Sequence, residues 1–490
     1  MKKVLIIGAG PGGLAAGMIM SAKGYDVHIY EKDQTIGGRM KPLDLGGYTF
    51  DTGPTFLMYI DALKEIFTLA ERDLEDYVKL YKLDPMYELF FNEKTLKPSS
   101  DRHKMRKIME DTYPGHVINY FDFLDKQETK FEAVSPILKM PFHKKRYYLK
   151  PHMLKALPYL GRRKSVGKLL KKRFVDDDLV NAMSLQTKYL GMSPWKAPGL
   201  YTMMSYLEHV KGLYHVEGGL NKLNTAMAKI ITEYGGTIHL NKPVKRIITR
   251  QGKAYGIQFD DDTVDMAKII INNSDFAYFG KHLVNAQDQR TYTTKKIDKL
   301  DYSISTFMLY LALDKTYQLE HHTIIFADDY KQSLKQMTQK NDLSDDMTLY
   351  LHNPSRLDKT LTKKKNHSAM TVLVPVPNNK AQIDWDNERN AFVETILKRI
   401  EAKTHITDLR EHIVKKKIIT PNDWEYAYNV NLGAVFSLSH SLNQMFYHRP
   451  HNKYQDIENL YLVGGGTHPG SGLPAIYQSA LITTKLITNT

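Results

Sequence analysis

The chain has 490 residues and a formal net charge of +14, and its length predicts two or three domains with a sizeable core. Cysteine is absent, which excludes disulfides, thiolate metal ligands and a cysteine nucleophile and suits a reducing cytoplasm. The 19 His residues form no H-x-x-x-H or H-E-x-x-H pattern, so we expect no metal ion. No run of about 18 apolar residues occurs, so no segment is expected to span a membrane.

The N-terminal segment predicts a strand, a glycine turn and a helix. Residues 4–7 are apolar and predict a buried parallel strand. The glycines that follow have G-x-G-x-x-G spacing, which permits a tight turn, close approach of the backbone to a pyrophosphate, and close packing of helix on strand. These candidate cofactor contacts are Gly8, Gly10, Gly12 and Gly13.

The second strand of this unit, residues 27–30, ends at Glu31 and is followed by Lys32. A carboxylate at this position is expected to bind the ribose hydroxyls of a dinucleotide, and it argues against a 2′-phosphate. We therefore predict that both residues contact the cofactor. A secretory signal is the rival interpretation of this terminus, and it is rejected because five glycines and a proline interrupt the apolar stretch.

Basic residues are concentrated between residues 139 and 173, and neither Asp nor Glu lies between Glu132 and Asp176. Aromatic residues and leucines separate the basic ones, which is typical of a segment that lies on an anionic bilayer. An ordinary solvated helical face is the alternative. Nucleic-acid binding is disfavoured because no RNP, zinc-finger or helix-turn-helix signature accompanies the charge. The predicted membrane contacts are Lys144, Lys145, Arg146, Arg162, Arg163 and Lys164.

The middle of the chain again has the character of a dinucleotide-binding domain. Its predicted elements are a helix at 220–234, strands at 237–240 and 244–250, a hairpin of 254–259 with 263–266, and a strand at 267–272. Further on, the patterns predict strands at 303–313 and 371–376 and a helix at 385–403. The C-terminal segment, 459–487, predicts a strand, a Gly/Pro loop and a closing helix.

Two short motifs resemble those of a known superfamily. Gly37, Gly38 and Arg39 form a GGR element that is similar to that of flavin oxidoreductases of the amine oxidase and carotenoid desaturase superfamily. The resemblance implies that Arg39 reaches the pyrophosphate of FAD. It also implies that Gly53 and Pro54 lie in a loop near the isoalloxazine, and that the backbone of Val244 contacts adenine.

The C-terminal loop carries a more specific resemblance. Residues 459–479 resemble the signature of bacterial-type carotenoid (phytoene-type) desaturases, and residues 420–424, 431–438 and 447–452 fit the same family. Residues 189–219 look most like the dehydrosqualene desaturases of Gram-positive bacteria. The loop supplies the remaining candidate cofactor contacts and one candidate catalytic residue, for which a structural role is the alternative. These are Gly465, Gly472 and Leu473 for the cofactor and His468 for catalysis.

The resemblance implies an α/β fold: a Rossmann-like FAD-binding domain of the amine oxidase/carotenoid desaturase superfamily with a discontinuous α+β substrate domain. We expect the FAD-binding domain to comprise residues 1–90, 212–285 and 415–490. Residues 91–211 are expected to form a helical, membrane-contacting part of the substrate domain. Residues 286–414 are expected to form its sheet-containing part.

The resemblance also implies the activity. We expect FAD-dependent desaturation of the thirty-carbon polyprene 4,4′-diapophytoene (dehydrosqualene) to 4,4′-diaponeurosporene in carotenoid biosynthesis. The alternatives are a forty-carbon phytoene desaturase, a carotenoid terminal oxidase, a flavin amine oxidase and a non-catalytic flavoprotein. The expected partners are a polyprenyl hydrocarbon substrate, a membrane surface and the upstream synthase, without nucleic acid. The expected location is peripheral, on the cytoplasmic face of the cell membrane.

Overall fold

The computed structural model describes residues 2–160 and 164–489, so Arg162 and Arg163 lie outside the described residues. The strands in chain order are β1 (Lys3–Ile7), β2 (Asp26–Tyr30), β3 (Pro42–Asp44), β4 (Thr49–Asp51), β5 (Leu57–Met58), β6 (Leu80–Lys82), β7 (Glu88–Phe90), β8 (Thr95–Leu96), β9 (Leu213–Val216), β10 (Thr237–His239), β11 (Val244–Arg250), β12 (Lys253–Phe259), β13 (Val264–Met266), β14 (Ile270–Asn272), β15 (Ser305–Leu313), β16 (His322–Ile325), β17 (Leu349–His352), β18 (Ser368–Val376), β19 (Ile413–Ile419) and β20 (Leu460–Leu462).

The helices in chain order are α1 (Pro11–Ala22), α2 (Asp61–Leu69), α3 (Arg102–Thr112), α4 (Val117–Leu138), α5 (Pro151–Leu160), α6 (Val166–Arg173), α7 (Asp177–Ser184), α8 (Met203–His209), α9 (Asn221–Glu233), α10 (Phe276–Tyr278), α11 (Thr294–Asp298), α12 (Tyr330–Lys335), α13 (Trp385–Lys403), α14 (Pro421–Tyr426) and α15 (Leu473–Thr488). Among the described residues, no helix combines the length and the apolar composition needed to cross a bilayer.

A five-stranded parallel sheet joins segments that are far apart in the sequence. Its strand order is β10-β2-β1-β14-β20. Strands β1, β14 and β20 are mainly apolar and buried, because both faces of the sheet are covered there. Leu14 and Met18 of α1 pack in the same core cluster as Ile230 of α9 and Ala480 of α15. The predicted α/β fold with a Rossmann-like sheet is confirmed.

The predicted elements of the middle segment form with small changes in their bounds. The predicted hairpin is present as β12 and β13, and the strand predicted at 244–250 is β11, which pairs with β12 to complete an antiparallel three-stranded sheet. The strand predicted at 267–272 is shorter and begins at Ile270, which is where pairing with β1 and β20 begins. The helix predicted at 220–234 is α9, whose first turn is capped from elsewhere: the Asp51 carboxylate accepts from the backbone N–H groups of Leu220 and Asn221 at 2.8 and 2.9 Å.

A second large sheet has the order β19-β15-β18-β17-β16-β7-β8. All pairs in it are antiparallel except β16 with β7. Helix α13 begins at an Asp384 cap and covers one face, where its apolar residues pack on β15 and β18. This sheet extends beyond the expected limits of the substrate domain at both ends, since it takes β7 from before residue 91 and β19 from across residue 415.

The helices α3 to α8 pack on the remaining side of the large sheet and form a core cluster with residues of β7, β9 and β16. Phe123, Leu124 and Val134 of α4 belong to it, together with Leu170 of α6 and Met183 of α7. The cluster continues to Met445 and Phe446, close to the C-terminal loop. This helical layer therefore packs between the large sheet and the segment that precedes β20.

The packing of α13 on the large sheet generates a stability prediction. Phe307 of β15 is fully buried, and its ring lies 5.5 Å from that of Trp385 and 5.0 Å from that of Phe392. We expect Phe307→Ala to lower the free energy of unfolding by about 3–5 kcal/mol, because it leaves a cavity in a packed core. Equilibrium urea unfolding measures this. Val414→Ala, at an exposed position on β19, is the control and should change stability by less than about 0.5 kcal/mol. Equal effects of the two substitutions would contradict this packing.

Candidate active site

A cavity of about 530 Å³ extends from the glycine turn after β1 to the core of the helical layer. One end, the polar end, is lined by backbone of the glycine turn, by the residues after β2 and β14 and by the C-terminal loop. The other end, the apolar end, is lined mainly by Leu, Met, Phe and Tyr side chains. The polar end includes all the predicted cofactor contacts except Gly13, namely Gly8, Gly10, Gly12, Glu31, Lys32, Gly38, Arg39, Gly53, Pro54, Val244, Gly465, Gly472 and Leu473.

The glycine turn has no room for side chains. Gly8 has φ +96°, a conformation that favours glycine, and its N–H donates to the carbonyl of Tyr30 at 2.8 Å. A Cβ on Gly10 or Gly12 would lie 2.8 or 2.7 Å from the side-chain amide of Asn273. A Cβ on Gly13 would overlap the Gly8 carbonyl, so Gly13 serves helix–strand packing and not the cavity wall.

The Glu31 carboxylate lies at the cavity in a fixed position. It is buried, and its oxygens accept from the backbone N–H groups of Ala9 at 2.8 Å and Asp33 at 3.0 Å. The Lys32 ammonium donates to the Ala427 carbonyl at 2.7 Å. The backbone carbonyl of Glu31 accepts from the backbone N–H of Lys242 at 2.8 Å. This hydrogen bond connects the end of β2 to the segment just before Val244. Each carboxylate oxygen retains a lone pair for a further donor.

Arg39 follows the GGR turn and is held from two sides. Its guanidinium donates to the Val435 carbonyl at 2.6 Å and to the Asp275 carboxylate at 3.3 Å. Burial raises the pKa of Asp275, and the Arg39 charge acts in the opposite direction. Gly53 packs directly on the Arg39 backbone, since a Cβ there would overlap the Arg39 carbonyl. The sequence indicated Arg39 as a cofactor contact, but it did not indicate that Asp275 holds the Arg39 guanidinium in place.

The C-terminal loop is fixed by a buried cation that the sequence did not identify. Arg449 is fully buried and donates to the carbonyls of Gly465 at 2.7 Å, Thr467 at 3.0 Å and Ser439 at 3.3 Å. Burial lowers the pKa of Arg449 to about 10. The loop then turns into α15 at Gly472, which has φ +96° and lines the cavity. Arg449 lies within a motif that the family resemblance covers, but no local pattern indicates its contacts.

His468 lies behind the loop. It is 1 % exposed, and its ring centroid is 5.3 Å from that of Phe142 and 6.4 Å from that of Phe446. Burial lowers its pKa to about 3, so the imidazole is neutral at physiological pH. The neighbouring Pro469 lines the cavity, whereas His468 is not among the lining residues. The catalytic role of His468 stays a prediction, and the geometry gives it no contact with the cavity.

The apolar end contains two ionisable groups near its wall that the sequence did not indicate. Lys188 lines the cavity with its ammonium 5.1 Å from the ring centroid of Phe326, and burial lowers its pKa to about 7. Glu208 is fully buried behind the wall and accepts from Tyr189, a lining residue, at 2.9 Å. Burial raises the pKa of Glu208, and its hydrogen bonds to tyrosine and glutamine side chains lower it. Glu208 lies within residues 189–219, which the family resemblance covers, but no local pattern indicates the position of either side chain.

The basic segment begins at the cavity, since Leu138 and Lys139 line it. Lys144, Lys145 and Arg146 are exposed, and so is Lys164. The apolar residues of the segment divide into two sets. Phe142, Met153, Leu170 and Phe174 are buried in the core. Leu149, Leu154 and Leu157 are 84 %, 70 % and 59 % exposed.

The chain matches the flavin containing amine oxidoreductase family over residues 11–488. It is 43 % identical to a 4,4′-diapophytoene desaturase (4,4′-diapolycopene-forming) from Methylomonas sp, over 99 % of this chain and 95 % of that protein. It is 30 % identical to a 4,4′-diapophytoene desaturase (4,4′-diaponeurosporene-forming) from Staphylococcus haemolyticus, over 98 % of each chain.

Solved structures share the fold at low identity. Putrescine oxidase bound to putrescine aligns with a TM-score of 0.67 at 13 % identity, over 100 % of this chain and 99 % of that one. An oxidoreductase from Methanosarcina mazei aligns with a TM-score of 0.64 at 16 % identity, over 100 % of both chains. The family match and the full-length desaturase relatives agree with the cavity geometry. The chain belongs to the carotenoid desaturases of the flavin containing amine oxidoreductase family and is an FAD-dependent oxidoreductase.

Proposed function

We propose that this enzyme desaturates 4,4′-diapophytoene stepwise toward 4,4′-diaponeurosporene in carotenoid biosynthesis. The observation that carries the proposal is the division of one cavity into a polar, glycine-walled end and a long apolar end. This substrate is supported by two relatives that align with nearly the whole chain, since both are 4,4′-diapophytoene desaturases. The Methylomonas relative forms 4,4′-diapolycopene and the Staphylococcus relative forms 4,4′-diaponeurosporene, so the extent of desaturation must be measured from the products.

The residues of the polar end fit FAD. No side chain caps the N-terminus of α1, so its first N–H groups are available to a phosphate. Asn273 packs where a side chain on Gly10 or Gly12 would be, which leaves backbone as the cavity wall. We propose that the glycine turn and Arg39 hold the pyrophosphate, that Glu31 binds the ribose, and that Gly53, Gly465 and Gly472 lie along the flavin. When bound, FAD supplies the acceptor for the hydride removed from the substrate.

The protein's own contribution at the apolar end is alignment and the exclusion of water. Phe56, Phe131 and Leu207 are among the lining residues, and a polyprene buries its surface against them without leaving a polar group unsatisfied. The wall near Tyr189 and Tyr350 is stiffened by hydrogen bonds to Glu208 and Thr55. A rigid apolar channel holds the reacting carbons in a reproducible position, which is the main requirement when the cofactor supplies the chemistry.

The same cavity disfavours an amine substrate. Among its lining residues in the described chain, the carboxylates are Glu31, Asp33 and Asp275, all at the polar end. Asp275 is paired with Arg39, and Asp33 accepts from Lys32 and Lys41. An ammonium group at the apolar end would therefore meet no carboxylate. The likeness to putrescine oxidase concerns the fold alone.

We propose that the enzyme is peripheral on the cytoplasmic face of the cell membrane and takes its substrate from the bilayer. Helix α5 exposes Leu154 and Leu157, and Leu149 precedes it, beside the exposed Lys144 and Lys145. Exposed leucines next to cations suit insertion into an anionic lipid surface. Because Leu138 and Lys139 line the cavity just before this segment, the route from bilayer to cavity is short. Such a position also allows contact with the upstream synthase.

We also propose that residues 1–90, 212–285 and 415–490 form the FAD-binding domain and that residues 91–211 and 286–414 form the substrate domain. The parallel sheet supports this division, since all five of its strands come from the first group of segments. The two domains are connected within the large sheet, where β7 pairs with β16 and β19 pairs with β15.

The cofactor site is tested by Gly10→Val. We expect this variant to lose bound flavin, because the added side chain meets the Asn273 amide and must displace the glycine turn whose backbone is proposed to hold the pyrophosphate. Flavin absorbance per folded chain is the measurement, with circular dichroism as the check of folding. Gly115→Val is the matched control, because a Cβ there meets nothing within 4 Å. A folded Gly10→Val protein with full yellow colour would contradict the assignment.

Membrane contact is tested by charge reversal. Lys144→Glu, Lys145→Glu and Arg146→Glu combined should weaken partitioning onto anionic vesicles by about 100-fold or more, at about 1 kcal/mol for each basic residue near the surface. The control reverses three exposed lysines of β19: Lys415, Lys416 and Lys417. Vesicle co-sedimentation at low and high salt is the measurement. Equal losses in the two triple variants, or equal binding of the wild type to neutral and anionic vesicles, would refute this contact surface.

The substrate is tested with 4,4′-diapophytoene or phytoene in liposomes and with the absorption spectra of the products. We expect conversion of 4,4′-diapophytoene into coloured diapocarotenes. Met204→Arg should abolish conversion while flavin is retained, because a charge at the apolar end must be desolvated by the hydrocarbon. Met266→Arg, at an exposed methionine of β13, should change neither property. Turnover of phytoene alone would contradict the chain length, and inertness toward both hydrocarbons would contradict the desaturase activity.

A further inference from the structure

Four buried histidines lie together behind the wall of the cavity. His215 belongs to β9, His321 directly precedes β16, His322 begins β16, and His352 ends β17. The ring centroid of His321 is 4.7 Å from that of His215 and 4.9 Å from that of His352. One ring nitrogen from each of His215, His321 and His352 can be chosen so that all three lie within 4.8 Å of one another.

The polar atoms of this cluster lack the partners that buried groups normally have. Both ring nitrogens of His321 and the Nε2 atoms of His322 and His352 are buried without a hydrogen-bond partner. Buried nitrogens of this kind are rare in proteins, because each forfeits the hydrogen bonds it makes with water. Burial, together with neighbouring histidines, holds the pKa values of His321 and His352 well below the usual range. The neutral imidazole is also the form that binds a metal ion.

His215 has the partner that a metal-binding histidine usually has. Its Nε2 is 2.9 Å from a carboxylate oxygen of Asp358, and its other ring nitrogen remains available. Asp358 is itself fixed, since it accepts from the backbone N–H of Gly218 at 2.6 Å and of Thr360 at 2.9 Å. A carboxylate that accepts from the second nitrogen of a ligating histidine fixes the ring orientation and strengthens the ligand.

We propose that His215, His321 and His352 bind a divalent transition-metal ion such as Zn²⁺. Imidazole nitrogens are ligands that this class of ion prefers. Zinc–nitrogen bonds of about 2.0–2.1 Å would bring the three nitrogens to roughly 3.3 Å from one another, a contraction that rotation of the side chains can supply. The sequence did not indicate this site, because its ligands come from three separate segments and not from one helix.

The ion would act as a cross-link beside the substrate channel. It would join β9, which pairs with β5 after the Gly53 loop, to β16 and β17 of the large sheet. His322 connects the three proposed ligands to the cavity wall: its ring stacks on Phe56 at 4.3 Å, and its Nδ1 is 2.8 Å from the Tyr350 hydroxyl. Phe56 and Tyr350 both line the cavity. The metal site does not depend on which hydrocarbon the enzyme binds, because the ion would stiffen the cavity wall and would not contact the substrate.

Metal content and thermal unfolding of the flavin-loaded enzyme test the proposal. We expect elemental analysis of the protein, purified without chelator and equilibrated with Zn²⁺, to give one equivalent for each chain. X-ray absorption at the zinc edge should show nitrogen ligands at about 2.0–2.1 Å. Treatment with o-phenanthroline should lower the unfolding temperature, and added Zn²⁺ should restore it.

His352→Gln and His321→Gln should lose the metal and the response of the unfolding temperature to chelator and Zn²⁺. His405→Gln replaces an exposed histidine and should behave as the wild type. If the cluster variants do not fold, the wild-type measurements decide by themselves. Substoichiometric metal after equilibration with Zn²⁺, Fe²⁺ and Co²⁺, together with an unchanged unfolding temperature, would overturn the proposal in favour of ordered water among the rings.

Discussion

The parallel pairing of β1 with β2 and β14, and of β14 with β20, is the constraint on which the rest of the active site depends. The carboxyl ends of parallel strands meet at one edge of a sheet. The residues that follow these strands therefore lie at the same edge: Gly8 follows β1, Glu31 follows β2 and Asn273 follows β14. Gly464 lies just after β20, at the same edge. Asn273 connects them directly: its amide nitrogen donates to the Gly8 carbonyl at 3.3 Å. Segments more than four hundred residues apart thus form one wall.

A buried cation and a buried carboxyl group, each held by neutral hydrogen-bond partners, stabilise the walls of the cavity. Arg449 carries a buried charge that is paired with no carboxylate of the described residues, and it donates to the carbonyls of Ser439 and of Gly465 and Thr467 in the C-terminal loop. Glu208 is buried with neutral donors, namely Tyr87, Gln186 and Tyr189. In both cases the hydrogen bonds offset the desolvation of the charge and fix the backbone or rings that line the cavity. The loop and the apolar wall are consequently held by groups that do not themselves line the cavity.

A hydrocarbon substrate explains why the polar and apolar ends lie in one continuous cavity. A polyprene has no group that a hydrogen bond can select, so shape and the exclusion of water must position it. It also dissolves in lipid and not in water. The apolar end of the cavity meets the first requirement, since Phe56, Phe131 and Leu138 line it.

The sequence by itself determined the features whose physical cause is local. Apolar residues 4–7, the glycine spacing and Glu31 predict the strand, turn and acid of the cofactor site, because each depends on neighbouring residues. Only the tertiary structure decided which distant residues meet. It put β19 in the large sheet, His468 behind the loop, and Asp275 against Arg39. It also brought His215, His321 and His352 together, since strand pairing between separate segments leaves no periodicity in the sequence.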